Sequence, residues 1–245
     1  MGKSSFTRHR ADSTLDFLWD GLVEALRMVV RGDPEVMHAV YVSLLCTLTS
    51  VTLASLVAVP YGAWLGLYRT RFHRVHVFFL RVGMSVPTVV IGLLVFGLLS
   101  RSGPLGGADL LYTKTAIIVG EFLLAFPLAG SLAHGATVGL DRRIVETALT
   151  LGASRFRALL TVLGEIRSPL LAATLATFGR CITELGIAIT VGGNLLLSTR
   201  TLPSTIQHEL GRGDFGGAVA PGIVLLALAG LTAAITQWLA REARE

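Results

Sequence analysis

The chain has 245 residues, of which 52% are hydrophobic and only 15% are charged. Soluble domains of this size carry about 25% charged residues, so these charges are too few to cover a soluble surface. A mean hydropathy of +0.67 and only two cysteines also exclude a disordered chain, a coiled coil and a disulfide-rich secreted fold. The composition therefore predicts an integral membrane protein.

The first apolar segment, residues 17–30, is too short and too charged for an ordinary span. Its 14 residues rise only about 21 Å as a helix, and it carries Asp20, Glu24 and Arg27. We interpret it as an amphipathic helix in the membrane interface, within an N-terminal region 1–37 that precedes the transmembrane domain 38–245. A short first span is the alternative, and the acidic residues disfavour a signal peptide.

Five further segments are long enough to cross a bilayer, whose core requires about 20 helical residues. None shows the alternating pattern of a barrel strand, so an all-α integral membrane bundle is predicted. In chain order the five predicted spans are residues 39–68, 82–100, 115–140, 168–199 and 218–240.

Basic residues are unevenly distributed between the two sides of this topology. The segments 69–81, 141–167 and the C-terminal tail hold 11 basic and 5 acidic residues. Because Lys and Arg accumulate in cytoplasmic loops, these segments are predicted to be cytoplasmic, with the N-terminus outside. The net charge of +5 is thus interpreted as a consequence of membrane topology and not as a sign of nucleic-acid binding.

The longest predicted cytoplasmic segment, residues 140–168, has the signals of two short helices. Asp141 is a plausible N-cap, Gly152 breaks the first helix, and Ser154 can cap a second one. Such a corner can seat in a groove on a partner, although an ordinary amphipathic connector is equally consistent with the pattern.

The same segment resembles the cytoplasmic loop of permease subunits of ABC importers. Glu146-Thr147-Ala148, followed after three residues by Gly152, is similar to their E-A-A-x-x-x-G motif, with Thr147 in place of an alanine. The resemblance implies a type I ABC importer permease bundle whose loop docks on a separate ATPase subunit. The residues it assigns to ATPase coupling are Glu146, Thr147, Ala148, Gly152, Ala153, Ser154 and Arg155.

From about Tyr41 onward the chain resembles permeases of tungstate and molybdate importers, and the tungstate branch most closely. The stretches that carry this resemblance are SVPTVVIG at 85–92, LSRSGPLG at 99–106, GRCITELG at 179–186, VGGN at 191–194, TRTL at 199–202 and GDF at 213–215. Five spans are too few to enclose a pathway alone, so a homodimer is expected. The resemblance implies a pair of ATPase subunits that use ATP and Mg, and an extracytoplasmic oxyanion-binding protein. It implies no cofactor bound by this chain.

Charged and hydroxyl side chains inside the predicted spans are candidates for the translocation pathway. Arg180 and Glu184 are four residues apart near the middle of one span, where polar groups face a cavity or each other. They are interpreted either as a structural ion pair or as part of the pathway. The pathway candidates are Ser85, Pro87, Thr88, Arg180, Thr183, Glu184 and Gly186, and the candidates for docking the binding protein are Asn194, Arg200 and Asp214.

Other residues have more ordinary interpretations. Glu121 is near the outer end of its span and is expected to reach the interface. Gly62 and Gly66 suit close helix packing or dimerisation. His73 and His76 have no further ligands nearby in sequence, so a metal site is not predicted.

The sequence contains no phosphate-binding loop, nucleophile elbow or His-Glu-x-x-His pair, so the chain is not predicted to be an enzyme. We expect a permease subunit of a tungstate or molybdate importer in a prokaryotic plasma membrane, working by alternating access. A permease for another substrate or a secondary transporter is the alternative.

Overall fold

A computed structural model describes residues 19, 21–68 and 71–242, and the described part is helical with no strand. Outside the described part lie residues 1–18, 20, 69–70 and 243–245, which include the first residues of the predicted interfacial helix. An all-α fold was predicted, and it is confirmed. The helices are 21–31 (α1), Pro34–Leu67 (α2), His73–Ser85 (α3), Thr88–Leu99 (α4), Lys114–Val138 (α5), Arg142–Thr150 (α6), Arg155–Glu165 (α7), Arg167–Ile182 (α8), Gly186–Gly192 (α9), Leu202–Arg212 (α10) and Phe215–Glu242 (α11).

Three of the five predicted spans are continuous helices. α2, α5 and α11 are long and apolar enough to cross a membrane, and among the described residues the number rises to five if each of two bent helix pairs counts as one span. α2 begins where Asp33 accepts hydrogen bonds from the backbone N–H groups of Glu35 and Val36, as an N-cap does.

The second predicted span, residues 82–100, is wrong as a single helix. The chain instead forms α3, which occupies most of the predicted loop 69–81, and α4, which is bent by 101° from α3. The break falls at Val86 and Pro87. Proline has no N–H to donate and disfavours helical backbone in the residue before it, and Val86 is extended with ψ 128°.

The fourth predicted span, residues 168–199, is also broken. α8 ends at Ile182, and α9 begins at Gly186 after three non-helical residues. α8 is in turn bent by 75° from α7. The break between α8 and α9 lies beside the Glu184 carboxylate. This carboxylate accepts hydrogen bonds from the N–H groups of Gly186 and Ile187 and so caps α9.

α2 and α5 run parallel at the centre of the bundle, where small residues let them approach closely. A β-carbon on Gly62 would clash with the carbonyl of Gly130, and one on Gly66 would meet Thr137. Gly62 and Gly66, which were predicted to suit helix packing or dimerisation, therefore pack against α5 of the same chain. The central core consists of Val42, Cys46, Val51, Ala54, Ile91, Val95, Leu99, Ala116, Ile117, Leu124, Ala125, Cys181, Ile187 and Val191.

α1 has the amphipathic pattern that the sequence predicts. Ala25 on its inner side packs with Val36 of α2 and Ala220 of α11. Another side of this helical segment is an exposed apolar stripe, as expected of a helix that lies against lipid. The stripe contains Trp19, Leu22, Leu26 and Val30.

Candidate functional site

The corner between α6 and α7 has the local structure that the sequence predicts. Asp141 accepts a hydrogen bond from the N–H of Arg143, and Ser154 accepts one from the N–H of Arg157, so each helix has its predicted N-cap. Gly152 stands between them with a φ of +86°, a conformation that side-chain-bearing residues rarely adopt. The two helices and the small-residue turn are therefore confirmed.

This corner projects from the end of the bundle and exposes apolar side chains. Leu151 is 82% exposed and Phe156 is 64% exposed. The other side of α7 is buried through Ala158, Leu159 and Val162. The Tyr68 hydroxyl at the end of α2 also donates a hydrogen bond of 3.0 Å to the Arg155 carbonyl. The corner thus exposes apolar side chains while α7 beneath it is packed against the bundle. Such a surface is suited to contact with another protein.

The seven residues predicted for ATPase coupling all lie on this corner. Their positions range from the exposed face of α6 to the first turn of α7. Glu146, Thr147, Gly152, Ser154 and Arg155 are exposed, and Ala148 and Ala153 are half-buried.

The two broken spans meet at their breaks. A β-carbon on Gly186, at the start of α9, would lie 3.0 Å from the Thr88 hydroxyl and 3.2 Å from the Val89 nitrogen, at the start of α4. One helix turn further on, Gly92 is equally close to Thr190. The structure thus brings together Pro87, Thr88 and Gly186, which are distant in sequence.

Arg180 and Glu184 form the predicted ion pair beside this junction, with 2.9 Å between Arg180 Nη1 and Glu184 Oε2. They do not share one helix as predicted, because Glu184 lies beyond the end of α8. The Glu184 side chain is buried, whereas the Arg180 side chain is 46% exposed. Since the second oxygen of Glu184 caps α9, one carboxylate both offsets the arginine charge and holds the helix break.

The hydroxyl candidates near the breaks differ in their surroundings. Thr183 is exposed and donates to the Arg180 carbonyl at 3.0 Å, which satisfies the hydroxyl within its own segment. Ser85 is exposed and Thr88 is half-buried. The structure therefore places all the pathway candidates around one junction without assigning a ligand to any of them.

Glu121 was predicted to reach the membrane interface, and this prediction is wrong. The residue is 3% exposed, and it accepts a 2.8 Å hydrogen bond from Ser50 and a 3.5 Å one from Thr47. Ser50 and Thr47 lie three residues apart on α2, so their hydroxyls share one helix face. Two hydroxyl residues three apart in one span, together with a carboxylate in another span, were the sequence signal from which this contact could have been predicted.

The segment between α9 and α10 contains two of the three predicted docking residues. Asn194 is half-buried with a φ of 50°, and Arg200 is only 7% exposed. Asp214 is exposed and accepts a hydrogen bond from the N–H of Gly217 in the first turn of α11. Of the three, Asp214 alone has the exposure expected of a docking side chain.

His73 and His76, for which no metal site is predicted, each lie beside another aromatic ring. His76 Nδ1 lies 2.6 Å from the Tyr61 hydroxyl, and the His73 ring is tilted by 43° to the His134 ring, with 5.8 Å between the ring centroids. Among the described residues, no group of three or more His, Cys, Asp or Glu side chains is arranged to hold a metal ion.

The fold is also found in a solved structure of an ABC transporter. A solved structure of the methionine ABC transporter MetNI in an inward-facing conformation matches with a TM-score of 0.65, covering 86% of this chain and 95% of that chain at 19% sequence identity. The chain therefore shares its helical fold with a chain of that transporter.

The chain belongs to the family of binding-protein-dependent transport system inner membrane components, whose model matches residues 58–245. It is a permease subunit of an ABC importer, and this family implies an ATPase and a substrate-binding protein as partners.

Curated relatives at about one-third identity support the same family. The tungstate uptake permease TupB of Peptoclostridium acidaminophilum is 34% identical, over 86% of this chain and 93% of its own length. TupB of Campylobacter jejuni is 32% identical, over 93% and 95%. The molybdenum permease ModB of Escherichia coli K12 is 30% identical, over 89% and 98%.

Proposed function

We propose that this chain, as a homodimer, forms the membrane pathway of an ATP-driven importer for tungstate or the related oxyanion molybdate. The observation that carries the substrate is the similarity to two tungstate permeases over more than nine-tenths of their lengths. The molybdenum permease of E. coli is similar over a comparable length at a slightly lower identity, which is why molybdate stands second.

The α6–α7 corner supports the part of the proposal that concerns energy coupling. Its exposed apolar side chains stand on a buried helix face, so a push on the corner moves α7 and the end of α2 with it. A separate ATPase subunit, using ATP and Mg, binds here and drives alternating access. This chain holds no nucleotide and catalyses no reaction.

The corner side of the bundle is cytoplasmic in this proposal, and the loop 193–201 is on the outer side. The distribution of basic residues supports this orientation, with the C-terminus inside and the N-terminus outside. The binding protein delivers its oxyanion to the outer side, where Asn194, Arg200 and Asp214 are the docking candidates.

Uptake by proteoliposomes tests the proposal. The full chain is reconstituted with the ATPase and the oxyanion-binding protein that copurify with it, and ATP-dependent uptake of labelled tungstate, molybdate and sulfate is compared. We expect accumulation of tungstate first and molybdate second, abolished when the ATPase is omitted. Accumulation of only another substrate overturns the oxyanion, and accumulation without the ATPase favours a secondary transporter.

A further inference from the structure

Few charged side chains are buried in the described part of this bundle, and all but one of them have a partner there. Among the described residues, the buried charged side chains are Glu121, Glu184, Arg200 and Glu209. Two of the carboxylates pair with arginines, Glu184 with Arg180 and Glu209 with Arg212, and Glu121 accepts hydroxyl hydrogen bonds. The exception is an arginine.

Arg200 is 7% exposed, and its guanidinium forms no ion pair or hydrogen bond with any described residue. Its Nε is fully buried without an acceptor. A buried charge without a partner is costly, so such a group is normally paired or bound to a ligand. Arginine presents five N–H donors in a planar fork that fits an oxyanion.

The backbone around Arg200 is held in place on both sides of the residue. The Arg200 N–H donates to the Leu195 carbonyl at 3.1 Å. On the other side, Thr201 caps α10, and the Leu202 N–H donates to the Ser43 hydroxyl of α2 at 2.8 Å. The guanidinium thus extends from a segment that is fixed to the central helix of the bundle.

The loop that carries Arg200 is also where the backbone is strained. The non-glycine residues with positive φ in the described part lie in two loops, Asp109 and Tyr112 in one and Asn194 and Leu197 in the other. The loops touch, since a β-carbon on Gly193 would lie 2.6 Å from the Tyr112 ring. Such strain concentrates at ligand sites, where the surrounding structure maintains it.

We propose that Arg200 binds the transported oxyanion at the entrance to the membrane pathway. The proposal rests on the proposed function, because it takes its ligand from there. It transfers the anion-binding role from Arg180, whose charge Glu184 already offsets at 2.9 Å, to the arginine whose charge is uncompensated. It also changes Arg200 from a contact for the binding protein into a contact for the tetrahedral anion itself.

Uptake by the reconstituted complex is the first test. Arg200→Gln is expected to lower tungstate uptake at subsaturating concentration by about tenfold or more, because a charge-assisted contact is lost, and Arg200→Lys by less. Arg101→Gln, an exposed arginine in the loop after α4, is the matched control and retains uptake. Normal uptake by Arg200→Gln at normal assembly overturns the proposal and leaves the proposed function intact.

Chemical protection of the unmodified protein is the second test, and it does not depend on a variant that folds. The full complex is treated with butanedione, and modification of Arg200 and Arg101 is followed by peptide mass spectrometry. Tungstate, but not chloride at equal ionic strength, is expected to slow modification of Arg200 alone at least threefold. A site that admits an anion also admits this reagent, so an Arg200 that never reacts counts against the proposal.

Three other results of the protection test overturn it. Protection that follows the binding protein without tungstate indicates a protein contact. Protection that follows phosphatidylglycerol in the vesicles indicates a lipid headgroup, and protection that follows only dimer formation indicates a carboxylate of the second copy. If the complex transports a different oxyanion and that anion protects Arg200, the site stands and only the proposed substrate is wrong.

Discussion

The Thr88 hydroxyl oxygen lies 3.0 Å from the point at which a β-carbon on Gly186 would stand. Thr88 begins α4 after the break at Pro87, and Gly186 begins α9 after the break that Glu184 caps. The two broken spans therefore meet at the start of their second halves, and the absence of a side chain at residue 186 allows them to do so.

Substitution of Gly186 by valine is expected to separate the two breaks. The added methyl groups must enter space that Thr88 and Val89 occupy, and overpacking of this kind costs about 1–3 kcal/mol. We expect a lower aggregation temperature for the purified permease and a loss of uptake. Gly97→Val on α4, where an added β-carbon meets nothing within 4 Å, is the control. An unchanged aggregation temperature for Gly186→Val contradicts the packing argument.

The ion pair of Arg180 and Glu184, at the break between α8 and α9, predicts that a second substitution restores part of the uptake that a first one removes. Arg180→Gln leaves the buried Glu184 carboxylate without its cation, and the resulting negative charge repels an oxyanion near the junction. The carboxylate still caps α9, but a buried charge without its cation is costly, so we expect a lower aggregation temperature together with uptake reduced about tenfold or more. The double variant Arg180→Gln/Glu184→Gln removes both charges and is expected to recover part of the uptake.

Arg212→Gln serves as the control for this charge experiment. Arg212 also pairs with a buried glutamate, Glu209, at 3.4 Å, but on α10, away from the junction. Uptake by this variant is expected to be normal. Normal uptake by Arg180→Gln, or no recovery in the double variant, disproves the charge-balance explanation.

The contact between α2 and α5 predicts a strong effect of a very small substitution. Gly62→Ala places a methyl group against the Gly130 carbonyl, and backbone cannot rotate away as a side chain does. We expect a loss of stability of about 1–3 kcal/mol, measured as a lower aggregation temperature in detergent. Gly135→Ala on α5, which has open space around it, is expected to be neutral or slightly stabilising because alanine favours helix.

The exposed corner predicts a defect in partner binding without a defect in folding. Leu151 is 82% exposed, so Leu151→Glu is expected to change stability by no more than about 0.5 kcal/mol. Copurification of the ATPase and substrate-stimulated ATP hydrolysis are expected to fall severalfold. Leu105→Glu, the same change at an exposed position after α4, is expected to leave both unchanged. An intact complex with Leu151→Glu refutes the coupling role of this corner.

The α6–α7 corner was predictable because its signals are local. An N-cap acts on backbone groups within three residues, as Asp141 and Ser154 do, and a glycine relieves strain at its own position. The break at Glu184 was not predictable from hydropathy, because the apolar run continues through residues 185–193 and a hydropathy window does not detect a side chain that caps the next helix.

The amino-acid sequence by itself determined the membrane class, the approximate extent of three spans and the two capped helices of the corner, because apolar length and capping act over a few residues. Only the tertiary structure decided the partners of the charged groups. It placed Glu121 against Ser50, joined the breaks at Thr88 and Gly186, and buried Arg200 without a partner among the residues it describes. Those relationships depend on helices that are distant in sequence and adjacent in the bundle, where the low polarity of the interior makes each unpaired charge consequential.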